Sequence, residues 1–319
     1  MDRHQWLILR RQIRSAARSL ERHEPPRRRP TYPDWLVVAM YLFAVDHDRP
    51  TNWACDPAHY GRGLSLRRPL PSVSQFHRRL RTGRIRRLLQ TLHDQNVGPP
   101  TTLSYVDGSG QSPELGKPLV VGVASKDPDA RRGHVLGGFA RGYKLHAWMT
   151  DDRRITCWAV YPLNVAEQPV AEQLAGVMPC LPEASLVLAD QNYDSHRLHK
   201  AIDARGGRLL VWPKGGRGAN QKTPMPAGQE RHEVTMRQMG PARRALLRAC
   251  RVVPSLVRMV LRQRANAEGI LGNLTSRPGG LGPLPAWVRR IERVRRWVGG
   301  KILLYNLHVH AKAGRLPTA

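Results

Sequence analysis

The segment SLVLADQNYDSHRLHKAIDARGGRLLVWP, residues 185–213, constrains the fold more than any other stretch of the chain. It opens on an apolar run, passes through a helical pattern and closes on a second apolar run. Strand, helix, strand at this spacing suggests that the chain returns in the same direction as a parallel extension of the same sheet. Upstream, KPLVVGVAS, YKLHAWMT and RITCWAVYPLN read as strands, with the glycine-rich residues 133–142 as a hairpin connection between the first two. LSYVDGSG adds a short strand ending at Asp107, turned by Gly108 and Gly110. AEQPVAEQLAGVM is helical. The expected fold class is α/β, a mixed sheet flanked by helices, with Asp107 on its first strand and Asp190 ending a later one.

The first part of the chain has a different texture. MDRHQWLILRRQIRSAARSL forms a basic amphipathic helix, stopped by Pro25, Pro26, Pro30 and Pro33. DWLVVAMYLFAVD reads as a buried helix with Asp34 as its N-cap. PSVSQFHRRLRTGRIRRLLQTLHD follows, capped by Ser72 or Ser74 and marked by a possible break at Gly83. Residues 61–93 hold nine arginines and no acid. Such a basic helix pair suits a DNA backbone and is a rough helix-turn-helix candidate, with Arg78, Arg79, Arg86 and Arg87 as contacts; a solvated helix face has the same pattern. GPPTT marks a boundary, giving a helical DNA-binding or dimerisation region at 1–96 and a second domain at 97–319 with a basic insertion at about 215–262. The chain then closes with a basic amphipathic helix and an apolar helix in AWVRRIERVRRWVGGKILLYNLHVHAKA.

Charge narrows the function. Lys plus Arg number 52 against 24 Asp plus Glu, a formal charge of +28 that points to a polyanionic partner, above all nucleic acid. A GC-rich coding sequence would also favour arginine, alanine, glycine and proline, but it explains arginine over lysine better than base over acid. Cys55, Cys157, Cys180 and Cys250 form no CxxC pair and no zinc spacing, so reduced thiols are expected. No run of about 20 apolar residues offers a membrane span. With no secretory pattern at the start, an intracellular location is expected.

Three acids stand where chemistry could use them: Asp107 after YV, Asp190 after VLA, and Glu268 on a helix in RQRANAEGILGNL. Two strand-end aspartates and a helical glutamate would hold two Mg²⁺ or Mn²⁺ ions for phosphoryl transfer. Spacing alone is weak support, since a chain with 24 acids offers many such triples and aspartate after a strand also serves turns and caps.

Three blocks sharpen the case: YVDGSGQSP around Asp107; RGYKLHAWMTDDRRITCWAVYPLNVAEQPVAEQL, with Gly142, Lys144, His146, Pro162, Asn164 and Glu167; and RQRANAEGILGNL, with Arg264 four residues before Glu268. Together they resemble bacterial insertion-sequence transposases of the DDE type, the IS4 and IS5 group, whose catalytic domain is ribonuclease-H-like. The resemblance runs from about residue 30 onward and is strongest between 100 and 215. It implies an enzyme that binds the terminal inverted repeats of its element in double-stranded DNA. Such an enzyme cleaves 3′ ends with two metal ions at Asp107, Asp190 and Glu268, and transfers them to a target. Because two ends must be joined, a homodimer is implied, and so is a cytoplasmic, nucleoid-associated bacterial protein. Two alternatives remain: a catalytically inactive DNA binder of the same descent, and a related metal-dependent nuclease.

The sequence departs from the family pattern in places. Gln191-Asn192-Tyr193 replaces the usual glycine-containing run after the second aspartate, and Leu261 and Thr275 stand where relatives carry a tyrosine and a lysine that hold end phosphates. Arg262 and Arg277 could take over that contact. Lys144 and His146 share a strand face and read either as cations over the phosphate backbone or as the solvated face of an edge strand. Arg264 shares a helix face with Glu268 and could orient it, pair with it or touch phosphate. Asp194 reads as the cap of the following helix, and His196 and His199 as surface histidines. Trp148, Trp158 and Trp212 read as core. Residues 214–263 contain no Trp, Tyr or Phe, which weakens any reading in which an aromatic residue of the insertion holds a flipped base.

Overall fold

The computed structural model describes residues 3–25, 30–61, 66, 69–107, 117–121, 126–135, 138–213, 240–277 and 279–314, including the backbone of Asp107 and Lys117. The helices in chain order are α1 (Arg3–His23), α2 (Asp34–Asp46), α3 (Val73–Leu80), α4 (Gly83–Val97), α5 (Glu167–Val177), α6 (His196–Asp203), α7 (Pro241–Val252), α8 (Pro254–Arg262), α9 (Ala265–Ser276) and α10 (Ile291–Lys312). The chain divides into two compact units, Met1–Gly98 with Leu274–Ala319, and Pro99–Asn273. None of the described helices is long and apolar enough to cross a membrane.

The first unit is built around α2. Its run from Leu36 to Val45 is buried all round, which is why no polar face interrupts the sequence there. Asp34 is not the N-cap, a position held by Pro33. Its carboxylate is instead buried between Arg79 and Arg84, the latter at 2.5 Å. Ser72 caps α3 in a reciprocal capping box with Gln75, and Thr82 caps α4, so the two helices are separated by only two residues. The pair Gly299-Gly300 does not break the C-terminal segment into two helices, because α10 runs through it unbroken. A Cβ at Gly300 would lie 3.2 Å from Val45 Cγ1, so the missing side chain lets α10 approach α2 closely. That contact corrects the linear division at residue 96: the C-terminal helix, with Trp297, Ile302, Leu303 and Leu304 buried, packs with the N-terminal helices.

The second unit is organised by a seven-stranded sheet. Its strands are β1 (Leu103–Asp107), β2 (Lys117–Val120), β3 (Arg131–Val135), β4 (Gly138–Thr150), β5 (Ile155–Pro162), β6 (Ser185–Ala189) and β7 (Gly207–Leu210). The long β4 is shared by four antiparallel partners, taking β3 along 138–142, β5 along 143–149, β2 along 142–145 and β1 along 147–150. β1 then pairs in parallel with β6, and β6 in parallel with β7. Antiparallel β5, β4 and β1 followed by parallel β6 and β7, with helices between the parallel strands, is the expected ribonuclease-H-like arrangement. Residues 133–135 and 138–142 belong to the paired strands β3 and β4. A Cβ at Gly133 would lie 2.6 Å from the Leu163 carbonyl oxygen, and one at Gly142 would strike that of Leu119, so these glycines serve close backbone approach within the sheet.

One face of the sheet is closed by α5, α6, α7 and α8. Val106, Trp148, Val187 and Ala189 pack there against Ala171, Ala175, Leu198, Ile202, Leu246, Cys250 and Val257. The described part of the expected insertion, from 240 on, therefore belongs to the sheet's own core, while residues 214–239 lie outside the described residues. Strand alternation turns Tyr105 to the opposite face, where it is fully buried.

Candidate active site

The register of β1 on β6 runs Leu103 to Leu186, Ser104 to Val187, Tyr105 to Leu188 and Val106 to Ala189. The next residue on each chain is Asp107 and Asp190. Neighbouring strands lie about 4.7–4.9 Å apart, so the two aspartates stand side by side along the backbone, at the C-terminal ends of parallel strands. The side chain of Asp107 and residues 108–116 lie outside the described residues. Asp190 is half-buried and caps the short 3₁₀ turn Gln191–Tyr193. Its Oδ1 accepts the Gln191 N–H at 2.6 Å and its Oδ2 the Asn192 amide at 3.5 Å, which fixes the carboxylate at the strand end.

Glu268 lies in the first turn of α9, the favourable end of a helix for a carboxylate. Ala267, Ile270 and Leu271 turn inward at helical spacing, leaving the Glu268 side chain 47% exposed. Arg264 is 3.7 Å from Glu268 Oε1, across one helical turn. The helix is tied to the sheet by Asn266, whose amide donates to the Tyr105 hydroxyl at 3.1 Å. Asn266 is two residues ahead of Glu268 and Tyr105 two residues ahead of Asp107, so one hydrogen bond links the helix of the glutamate to the strand of the first aspartate. Among the described side chains, which do not include that of Asp107, no group of three His, Cys, Asp or Glu is close enough to hold a metal.

Lys144 and His146 are not on an edge strand, since β4 is paired along its length. Both are buried on the sheet face that Trp148 presents to α5. Lys144 Nζ donates to Glu167 Oε1 at 3.3 Å, with side chains 4% and 10% exposed. The cation expected over phosphate is thus spent on a carboxylate of α5. Burial, and then the ammonium of Lys144, push His146 down to about 3, so its ring is neutral at physiological pH. Neither ring nitrogen has a hydrogen-bond partner among the described residues.

The segment after Asp190 is held from several sides. Ser195, not Asp194, caps α6, accepting the Leu198 N–H. Asp194 is buried and takes Arg243 at 2.9 Å and His199 at 3.4 Å. His199, expected at the surface, is 3% exposed; His196 is exposed. Gln168 of α5 donates to the Asn192 carbonyl at 2.6 Å, and the Ser195 hydroxyl donates to Glu172 at 2.6 Å. Trp148 is core, Trp158 is half-buried, and half-buried Trp212 lies under the Arg258 guanidinium at 4.7 Å.

Of the other expected DNA contacts, Arg78 and Arg86 are exposed on α3 and α4, and Arg262 is exposed at the end of α8. Arg87 is exposed and pairs with Glu24 at 2.6 Å. Arg79 differs, because it is a partner of buried Asp34. Arg277, a proposed substitute for the missing end-contact lysine, donates to the Leu304 carbonyl at 3.1 Å.

A family model described as a transposase DDE domain matches residues 89–307. The chain belongs to this DDE transposase family. Membership makes it a transposase in general terms, of a family of DNA-cutting enzymes that generally use divalent metals. Among solved structures, a piggyBac transposase synaptic complex with hairpin DNA matches at 11% identity and a TM-score of 0.43, over 96% of this chain and 73% of that one. No curated protein matches the chain significantly in sequence.

The residues that sequence reasoning passed over are supporting ones. Asn266 lies inside the RANAEG block, between two residues that were singled out. Glu167 belongs to the second of the three blocks and is the partner of Lys144. For Asn266 the available signal was a polar residue at helical spacing among Ala267, Ile270 and Leu271; its partner on β1 is 161 residues away in sequence and had no local signature.

Proposed function

We propose that this DDE transposase binds the terminal inverted repeats of its element, cleaves their 3′ ends and joins them to target DNA, with Asp107, Asp190 and Glu268 as the metal-binding acids. The reading is supported above all by the β1–β6 register, which brings Asp107 and Asp190 to adjacent parallel strand ends, with α9 tied to β1 by Asn266 and Tyr105. Carboxylate oxygens are the donors that Mg²⁺ and Mn²⁺ prefer, and both Asp190 and Glu268 keep exposed surface for such a role. Two ions bound there would supply an activated water or 3′-hydroxyl and offset charge on the leaving oxygen.

The chain's own residues prepare that site. The Gln191 N–H and the Asn192 amide orient Asp190. Asn266 sets the position of α9, and Arg264 holds Glu268 at its outer end. Exposed Arg78, Arg86, Arg87 and Arg262 would engage DNA phosphates through charge, giving binding that weakens steeply with salt. Joining two ends calls for two active sites, so the working form is proposed to be a homodimer.

The test uses labelled duplex carrying the flanking repeats, with Mg²⁺ or Mn²⁺, and compares wild type with Asp107→Asn, Asp190→Asn and Glu268→Gln. Each substitution should abolish cleavage while leaving DNA binding nearly intact. Cutting that survives loss of one of these acids would remove that residue from the site. Cleavage by the wild type without any joined product would make it a nuclease instead.

A further inference from the structure

The first unit contains a cavity of about 230 Å³ lined by Tyr41, Asn52, His77, Arg81, Trp287 and Arg293, with Arg296 and Trp297 completing its wall. Its composition is unusual for a helical core. Arg81 and Arg293 are exposed and Arg296 is half-buried, and among the described residues no carboxylate lines the cavity. Arg296 donates to the Leu80 carbonyl at 2.7 Å and Arg293 to the Trp287 carbonyl at 2.9 Å, which fixes both guanidinium groups at the rim. His77 is half-buried and held by Thr51 at 2.7 Å; burial, then the charges of Arg293, Arg81 and Arg296, push its ring below the ordinary histidine range.

The walls are aromatic. Trp287 is 40% exposed, Trp297 and Tyr41 are buried behind the surface, and exposed Asn52 offers both a donor and an acceptor. A single water needs roughly 10–15 Å³ of such space, so the cavity far exceeds the needs of a lone small ion. An anion carrying a flat aromatic body would use the whole site: stacking on indole, a hydrogen-bonding edge at Asn52, and charge-assisted bonds from planar guanidinium groups.

We propose that this cavity is a binding site for a single nucleotide, the base lying against Trp287 and the phosphate held by Arg81 and Arg293. The nucleotide could be free or displaced from a DNA strand, where base stacking on an aromatic side chain is worth about 1–3 kcal/mol per base. The site lies wholly within the first unit and does not depend on the carboxylates, so it stands or falls apart from the cleavage reading.

The experiment titrates the full chain, without metal, with deoxyadenosine monophosphate, deoxyadenosine and inorganic phosphate, following tryptophan fluorescence. A parallel arm uses a duplex with one extrahelical 2-aminopurine nucleotide and the same duplex fully paired. Saturable quenching by the mononucleotide, at least tenfold tighter than by nucleoside or phosphate, supports the site with a free ligand. Quenched 2-aminopurine emission in the extrahelical duplex alone supports the displaced nucleotide as ligand. Trp287→Ala and the double variant Arg81→Gln/Arg293→Gln should each weaken the signal at least tenfold, while Arg22→Gln, an exposed charge elsewhere, should not. Equal affinity for phosphate and mononucleotide, no response in either arm, or full binding by the Trp287 and arginine variants overturns the proposal. Since these side chains are exposed, a melting curve matching wild type will separate lost binding from lost fold.

Discussion

Replacing Lys144 by methionine separates a buried structural cation from a phosphate contact. The ammonium lies 3.3 Å from Glu167 Oε1, and both side chains are almost excluded from water. Removing one partner of such a pair leaves the other charge buried, which typically costs about 3–5 kcal/mol. For a unit of this size each kcal/mol shifts the melting temperature by about 2–4 °C, so Lys144→Met should lower it by roughly 6–20 °C. Glu167→Leu alone should be costly for the same reason. The double variant should recover most of the loss, since a buried pair can be replaced by apolar groups at little net cost. Thermal denaturation followed by circular dichroism gives all four corners of the cycle, and DNA affinity measured below the transition should be unchanged. The reasoning fails if Lys144→Met melts like wild type and instead reduces the salt dependence of DNA binding by about one phosphate contact.

Other outcomes follow from the same geometry. His146 carries a folded-state value of about 3 against an ordinary 6.5, so the unfolded chain binds the extra proton. Its stabilising contribution is present above pH 6.5 and is lost as pH falls toward 3, amounting to about 2 kcal/mol between pH 7 and pH 5; urea midpoints of His146→Leu should fall less over that range than those of wild type. Asn266→Leu removes the bond to Tyr105 and should cost about 1 kcal/mol in stability but at least tenfold in cleavage rate, because α9 would lose its tie to β1. Gly300→Leu should destabilise the first unit by about 1–3 kcal/mol through overpacking against Val45, read as a shift in denaturant midpoint with the second unit's transition unchanged.

Most of the sheet was legible because its strands obey local rules. The β6–α6–β7 crossover and the β4–β5 alternation carry their signals within a few residues, and so does the Ser72 capping box. What escaped was set by distant partners. Asp34 looked like a helix cap because aspartate before an apolar run usually is one, yet Arg79 and Arg84, 45 and 50 residues further on, claim its carboxylate. Gly133 and Gly142 looked like a turn because their need for close backbone approach appears only once Leu163 and Leu119 are in place. Lys144 and His146 read as either phosphate contacts or a solvated edge, and not as buried, because alternation fixes which residues share a face and leaves open which face is covered. The two aspartates stand out in the sequence because each follows a recognisable strand. Their adjacency is a matter of parallel register, which no local pattern states.

The central claim is that Asp107, Asp190 and Glu268 share one cation site, and affinity cleavage tests it most directly. Fe²⁺ substituted for Mg²⁺, with ascorbate and peroxide, generates hydroxyl radicals that cut the polypeptide next to the bound ion. Cuts near residues 107, 190 and 268, competed by Mg²⁺ and lost together in Asp190→Asn, are the predicted result. Cuts that spare the region of Glu268, or that persist at all three places without Asp190, would contradict it.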